Sequence, residues 1–230
     1  MDKKTRILAT TAVRFNTGFR ADLKLLSEIA HDKGALLVVD GIQGAGSFPM
    51  KVQEDGIDVL ACAGFKWLLG MAGTGFLYVN QNAREKIRAV LPGMFAAEND
   101  TREIRYLHDS RQYETGSIAY ALFYAWTAGL EILQEIGIDN IRDRVLHLTD
   151  RIIHGLKSIP GIRVISPVEK TQERSAILSF TLGSENKNKK CHQFLMNNNI
   201  LVALRGEQIR VSPNFFNTAD EIDHFLEKVA

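Results

Sequence analysis

The sequence is poor in the features that mark several classes of protein. It has only two cysteines in 230 residues, Cys62 and Cys191. They exclude a disulfide framework and offer no metal-ligand spacing, so we expect no metal site and a reducing, cytoplasmic setting. The 28 basic and 27 acidic residues nearly balance, which gives no electrostatic reason to expect nucleic acid or an anionic membrane as a partner. No apolar run approaches the roughly 20 residues that a membrane-spanning helix needs.

The first half of the chain contains short apolar runs that predict buried strands. With 45% hydrophobic and 24% charged residues, the composition is that of a globular protein. The predicted strands cover residues 5–13, 35–39, 57–63 and 75–79. Between the first two, a helical pattern begins at Asp22 and ends at Gly34. Because strand–helix–strand order is typical of parallel pairing, the predicted fold class is α/β with a mostly parallel sheet.

The second half has a different pattern, with long helices followed by short strands. A polar stretch at residues 99–112 predicts a loop. The predicted helices cover residues 117–136, 139–156, 191–196 and 220–229, and Thr218 is the expected N-cap of the last. The predicted strands cover residues 162–165, 176–181 and 200–204. These elements indicate a smaller α+β domain, so two domains are expected, 1–130 and 131–230.

Two charged residues follow apolar runs that predict neighbouring strands. Asp40 comes where α/β folds place ligand contacts, although an aspartate there can equally form a turn or cap a helix. Lys66 has apolar neighbours, and lost hydration favours its neutral, nucleophilic amine. The alternative for Lys66 is a side chain whose head group stays in water. Together the two residues predict a pyridoxal phosphate site, since that cofactor needs a lysine at its aldehyde and an acid at its pyridine nitrogen.

Five segments around and beyond these residues resemble a known family. They lie, in family order, at residues 38–43, 63–70, 73–79, 113–117 and 208–218. They resemble the class V aminotransferases, which include cysteine desulfurases, isopenicillin epimerase-like proteins and kynureninase relatives. The resemblance implies part of the large domain of a fold-type I pyridoxal phosphate enzyme, followed by the small α+β domain. It also implies pyridoxal 5'-phosphate as cofactor, a small amino acid as substrate and a homodimer.

The resemblance assigns cofactor roles to residues of the first half of the chain. Lys66 would form the Schiff base with pyridoxal phosphate and then move the Cα proton of the substrate. Asp40 would pair with the pyridine nitrogen, and Gln43 would donate a hydrogen bond to the phenolic oxygen. Asn16, in the loop after the first predicted strand, would contact cofactor or substrate.

The resemblance also assigns residues nearer the C-terminus. Arg210 would bind the substrate carboxylate through two hydrogen bonds, and Arg205, across a turn at Gly206, would face the same cleft. Without the resemblance, Arg210 would be taken as a surface strand residue. Ser117 would bind the cofactor phosphate, across the dimer interface, because it precedes a predicted helix whose N-terminus favours anions. A plain helix N-cap is an equal alternative for Ser117.

The sequence departs from the family in three ways. Family members are longer upstream, so we expect the main phosphate-binding loop and the ring-stacking aromatic to be missing from this chain. Ala63 and Phe65 stand where desulfurases have a phosphate-binding serine and histidine. The segment between Arg205 and Arg210 has no cysteine, and the expected burial of both thiols disfavours a persulfide mechanism.

The predicted function is therefore that of an aminotransferase-like enzyme that uses Lys66 on a small amino acid. Transamination, racemisation and β-elimination all remain open, because each needs only a Schiff base and proton transfer. The alternatives are a non-catalytic, truncated family fragment and a cysteine desulfurase or selenocysteine lyase.

Overall fold

The computed structural model describes residues 1–91, 93–98 and 104–230. Residues 99–103 of the predicted polar loop lie outside the described residues. The elements follow in the order β1 (Ile7–Thr11), α1 (Leu23–Asp32), β2 (Leu36–Asp40), β3 (Val59–Ala63), β4 (Gly75–Val79), α2 (Gln81–Lys86), α3 (Tyr120–Ile136), α4 (Ile138–Ser158), β5 (Arg163–Val164), β6 (Leu178–Thr181), α5 (Glu185–Asn197), β7 (Ala203–Arg205), β8 (Gln208–Val211) and α6 (Ala219–Val229).

These elements fall into two compact units. The first unit comprises Met1–Thr11, Leu23–Ile42 and Met50–Ile132. The second unit comprises Ala12–Asp22, Gln43–Pro49 and Leu133–Ala230. Two loops of the N-terminal half thus belong to the second unit, and the domain boundary expected near residue 130 stays a prediction.

The first unit is built on a sheet with the strand order β1-β2-β3-β4. β1, β2 and β3 are parallel, as predicted, and their shared face is buried at Leu37, Val39 and Leu60. β4 runs antiparallel to β3 and closes one edge of the sheet. The direction of β4 was not predicted, because a five-residue apolar run carries no information about the direction in which it pairs.

The second unit is built on an antiparallel sheet with the strand order β5-β6-β8-β7. Its core contains Phe180 and Ile209 from the sheet, Leu148 and Leu156 from α4, and Phe225 from α6. The rings of Phe180 and Phe225 meet edge to face, with centroids 6.2 Å apart. The C-terminal part of the chain therefore has the α+β character expected from its sequence.

The observed helix boundaries agree with the predicted ones where the sequence has a clear capping signal, as in α6, and differ in α3 and α5. α6 begins as predicted after Thr218, which forms a capping box with Glu221. α3 begins at Tyr120 and not at Ser117. α5 begins at Glu185, well before the predicted Cys191, because Ser184 caps a polar first turn that has no apolar periodicity. The short helix α2, capped by Asn80, was not predicted.

The described residues offer neither a membrane-spanning helix nor a metal-binding cluster. None of the helices in the described part is long and apolar enough to cross a membrane. Within the same residues, no group of three or more histidine, cysteine, aspartate or glutamate side chains is placed to hold a metal ion.

Candidate active site

Asp40 and Lys66 both lie in the first unit, at the same end of its parallel strands. Asp40 is the last residue of β2 and pairs with Ala61 of β3, and the N–H of Gly41 donates to the Ala61 carbonyl at 2.8 Å. Lys66 lies in the turn that follows β3. Asp40 was expected at the end of a fully buried strand, but its side chain is exposed, whereas Lys66 is half-buried. The exposure arises because β2 ends at this residue, and the carboxylate accepts the N–H of Ile42 at 2.9 Å.

Asp40 and Lys66 both lie close enough to the thiol of Cys62 to influence its pKa. Its pKa is raised to about 11, first by burial and then by the carboxylate of Asp40, while the ammonium of Lys66 acts in the opposite direction. An effect of both groups on one sulfur atom requires both to lie within electrostatic range of it. The structure therefore brings Asp40 and Lys66 to the same region of the first unit.

The loop that carries Lys66 is held by close packing. The indole Nε1–H of Trp126 donates to the Leu68 carbonyl at 2.8 Å. A Cβ atom at Gly64 would lie 2.4 Å from Thr74 Oγ1 and 2.7 Å from the Trp126 ring, so only glycine fits there. Leu69 has a φ of 55°, a left-handed conformation that packing must enforce.

Trp126 is thus a positioning residue for the lysine loop. Nothing in the sequence indicated that Trp126 positions the loop of Lys66. Trp126 lies in a helix that the sequence predicted, but its contact with residues 64–68 is made only in the folded chain.

The glycines at residues 70–75 do not form a phosphate cradle. The strand β4 begins at Gly75, as the sequence indicated, so no helix N-terminus follows them. Gly70 serves packing instead, because a Cβ atom there would lie 2.5 Å from Thr74 Oγ1.

Ser117 lies in the first unit and is exposed. It is three residues before the start of α3, so it is not the N-cap of that helix, which was one of its two expected roles. A short 3-10 turn covers Ser110–Tyr113, and residues 114–119 connect it to α3 without regular secondary structure.

Gln43 and Asn16 lie in the second unit, in its two loops from the N-terminal half. Gln43 is buried, and Ser47 Oγ donates to its backbone carbonyl at 3.1 Å, which fixes the turn after residue 43. The backbone carbonyl of Asn16 accepts a hydrogen bond from Ser179 Oγ of β6. Both loops are therefore anchored by hydrogen bonds within the second unit.

Arg210 and Arg205 lie near each other on β8 and β7. Arg210 Nη1 donates to the Phe15 carbonyl at 2.9 Å, and its Nε is buried without a hydrogen-bond partner in the described structure. Burial lowers the pKa of Arg210, and the positive charge of Arg205 lowers it further. Among the residues that the structure describes, neither arginine pairs with a carboxylate. A partly buried guanidinium with an unused donor is suited to binding a carboxylate.

The donor set of the first unit fits most of pyridoxal phosphate. An amine at residue 66 and a carboxylate at residue 40 are the two groups that the aldehyde and the pyridine nitrogen require. The fit to the phosphate is weaker, because Ala63, Gly64 and Phe65, just before the lysine, have no side-chain hydrogen-bond donor.

Comparison with known proteins identifies the family. A model of the family "Aminotransferase class-V" matches residues 1–225. The chain belongs to the class-V aminotransferase family. This confirms the resemblance seen in the sequence.

Two curated relatives of this class-V chain illustrate the range of the family. The "Uncharacterized aminotransferase YcbU" of Bacillus subtilis is 29% identical over 99% of this chain and 60% of its own length. A "Probable cysteine desulfurase" of Synechocystis is 26% identical over the whole of this chain and 57% of its own length. This chain thus spans about 60% of the length of these relatives.

Solved structures of similar proteins confirm the predicted α/β fold. The cysteine desulfurase of Thermococcus onnurineus NA1 matches 98% of this chain and 59% of its own chain, with a TM-score of 0.89 and 22% identity. The cystine C–S lyase C-DES, solved with its product cysteine persulfide, matches the whole of this chain and 62% of its own, with a TM-score of 0.91 and 22% identity. A lysine-to-alanine mutant of C-DES carries glycine covalently linked to its pyridoxal phosphate cofactor. Membership of the class-V family supports the predicted pyridoxal phosphate cofactor.

Proposed function

We propose that this class-V chain belongs to a pyridoxal phosphate-dependent enzyme that acts on a small amino acid through Lys66. The observation that supports the proposal most directly is the position of the two residues, because Asp40 ends β2 and Lys66 lies in the turn after β3, the strand that pairs with β2. A carboxylate and an amine that share one region are the pair that the cofactor requires.

The proposed roles follow from the chemistry of each side chain. Lys66 Nζ would be the amine that holds the aldehyde of the cofactor, and the same amine would take and return the Cα proton of the substrate. Asp40 holds a proton on the pyridine nitrogen by its negative charge. The bound cofactor supplies the electron sink that makes removal of the Cα proton possible.

The remaining roles concern cofactor and substrate binding. The amide of Gln43 would hold the cofactor by donating to its phenolic oxygen, and the hydroxyl of Ser117 would donate to its phosphate. Arg210 binds the substrate carboxylate with the donors that it does not use on Phe15, while Arg205 adds positive charge. Asn16 contacts cofactor or substrate from its anchored loop. We further propose that the enzyme is a homodimer in which Ser117 acts across the interface.

A spectroscopic titration tests the central proposal. Purified protein is mixed with pyridoxal phosphate, and the visible absorption of the lysine-bound cofactor is recorded. We expect the band in the wild type and in Lys157→Ala, a control at an exposed lysine of α4, but not in Lys66→Ala. Borohydride reduction followed by mass spectrometry should place the added mass on Lys66.

Two results of this titration count against the proposal. A band that persists unchanged in Lys66→Ala would show that another amine holds the cofactor. The lack of any band in the wild type would favour the alternative of a non-catalytic family member.

Cysteine desulfurase activity is a second candidate, favoured by the desulfurase relatives. A persulfide mechanism needs a thiolate, but burial raises the pKa of Cys191 and, together with Asp40, that of Cys62. We therefore expect that any release of sulfide or alanine from cysteine persists in the double variant Cys62→Ala/Cys191→Ala. Loss of that release in the double variant would instead support a cysteine nucleophile.

A further inference from the structure

A cavity in the second unit lies beside the two arginines. Its volume is about 560 Å³, which is large enough for a small amino acid. It is bounded by the loop after β1 on one side and by the β5–β8 sheet and the start of α5 on the other. The residues that matter here are Asn16, Arg163, Thr181, Arg205, Glu207 and Gln208.

The sheet places four of these residues in one row across the strands. Arg163 of β5 pairs with Thr181 of β6, and Gln208 of β8 pairs with Arg205 of β7. The register of β6 with β8 sets Thr181 beside Gln208, so the four side chains share a face. Arg210 lies on the same face two residues along β8.

Hydrogen bonds from a buried asparagine hold two of the residues that line the cavity. Asn188 of α5 is fully buried and donates to Thr181 Oγ1 at 2.8 Å and to the Glu207 carbonyl at 2.7 Å. Its own side-chain oxygen accepts the N–H of Leu182 at 2.8 Å. A site with a preformed wall loses less entropy when a ligand binds.

The two arginines at the cavity, Arg163 and Arg205, can bind an anionic group of a ligand. Within the part of the chain that the structure describes, neither Arg163 nor Arg205 forms an ion pair. Of the two carboxylates at the cavity, Glu185 is bound by Lys189 at 2.6 Å. The other, Glu207, lies on the tight turn between β7 and β8 and is the remaining negative charge.

We propose that this cavity binds the acidic side chain of the substrate, so that the preferred substrate is an amino acid with a second carboxylate. Arg163 and Arg205 bind the side-chain carboxylate from the two ends of the row. Arg210 binds the α-carboxylate, and this assignment rests on the proposed function. Thr181 and Gln208 lie between these two arginines in the row and line the part of the cavity that would receive the side-chain carboxylate.

L-Glutamate and L-glutamine are matched probes for this proposal, because they have the same size and differ in side-chain charge. Their binding to the purified chain without cofactor is measured by titration calorimetry. We expect glutamate to bind about tenfold or more tightly than glutamine, as the loss of one charged hydrogen bond would give. Arg163→Gln and Arg205→Gln should each reduce this preference, and the double variant should abolish it.

Two further variants sharpen the test. Glu207→Gln removes the opposing charge and should increase the preference for glutamate. Arg151→Gln is the matched control, because Arg151 is an arginine of the second unit that is paired with Asp223, away from the cavity, and it should leave the preference unchanged.

Equal binding of glutamate and glutamine by the wild type would overturn the proposal, as would a preference that survives in the double arginine variant. The test is independent of Lys66, because both probes carry the same α-carboxylate and no cofactor is present. A missing cofactor band would therefore count against the proposed function without changing the expected preference for glutamate, and equal binding of the two probes would count against this inference without changing the cofactor band.

Discussion

At the scale of single residues, Asp58 is a buried polar group of the first unit that contacts three different elements. It is 4% exposed, and its carboxylate accepts the N–H of Leu37 at 2.7 Å and the amide N–H of Asn80 at 2.8 Å. The same carboxylate lies 2.8 Å from His31 Nε2. Since Asn80 caps α2 and His31 lies in the last turn of α1, one carboxylate joins two helices to β2. This is a structural role that the sequence did not indicate.

Replacing this carboxylate should destabilise the protein strongly. Asp58→Ala leaves the buried Leu37 N–H and the Asn80 amide without their acceptor, which costs about 3 kcal/mol of the free energy of unfolding. Urea denaturation measures the change. Asp32→Ala, which breaks only an exposed pair with Lys33, is the control and should unfold like the wild type. Equal stability of the two variants would contradict the assigned role of Asp58.

The Cys62 thiol should make stability depend on pH above neutrality. Its pKa rises from its ordinary value of 9.0 to about 11 in the folded chain, mainly by burial. Between these values the folded state binds more protons than the unfolded state, so the free energy of unfolding falls as the pH rises from about 9 to about 11. Denaturation of the wild type and Cys62→Ala at about pH 8 and about pH 10 checks this. We expect the free energy of unfolding to fall less between the two pH values in Cys62→Ala than in the wild type. An equal fall in both proteins would contradict the assignment of this pH dependence to Cys62.

At the scale of elements, the crossing of α4 and α6 depends on a glycine. A Cβ atom at Gly155 of α4 would lie 2.4 Å from Leu226 Cδ1 and 2.9 Å from its Cγ. Gly155 therefore allows the two helices to approach closely, even though glycine is a poor helix former. The local signal favours alanine at this position, and the packing opposes it.

We expect the packing to decide the outcome of Gly155→Ala. Overpacking against Leu226 costs about 1–3 kcal/mol, whereas the gain in helix propensity is about 1 kcal/mol, so the variant should lose about 1 kcal/mol of the free energy of unfolding. Thermal or urea unfolding measures the loss. In a Leu226→Ala background the new methyl group has space, and the same substitution should become neutral or stabilising. A similar cost in both backgrounds would show that the contact is not responsible.

At the scale of the whole molecule, charge balance and exposed apolar side chains act together. The net charge is +1 and the isoelectric point is about 7.8. Several large apolar side chains of the first unit are exposed, including Val90 at 83%, Leu91 at 71% and Met94 at 72%. With little charge repulsion to oppose it, such a surface favours association between molecules.

Solubility should therefore reach its minimum close to the isoelectric point, about pH 7.8. The concentration that remains in solution after ultracentrifugation, measured over a range of pH, gives the minimum. Lys157→Glu should move the minimum to lower pH, because it removes a positive charge and adds a negative one. Lys157→Arg keeps the charge and should leave the minimum in place. If the pH of minimum solubility were the same in both variants and in the wild type, net charge would not control association.

The sequence by itself determined the family and much of the local structure. The residues around Asp40, Lys66 and Arg210 lie in segments whose order is sufficient to indicate a class-V chain, which the family model confirms. The positions of β1, β2 and β3 and the capped start of α6 also follow from local signals, because apolar runs and capping residues act over a few neighbouring positions. The parallel direction was indicated by the helix between the first two strands.

Only the tertiary structure decided how distant segments hold the proposed site. The Arg210 guanidinium binds the Phe15 carbonyl, 195 residues away in sequence, and Trp126 holds the loop of Lys66. The antiparallel direction of β4 and the exposure of Asp40 were likewise outside the reach of the sequence. Such contacts depend on which surfaces meet when the chain is compact. The periodicity that predicts helices and strands reflects only neighbouring residues in the sequence, so it does not predict these contacts.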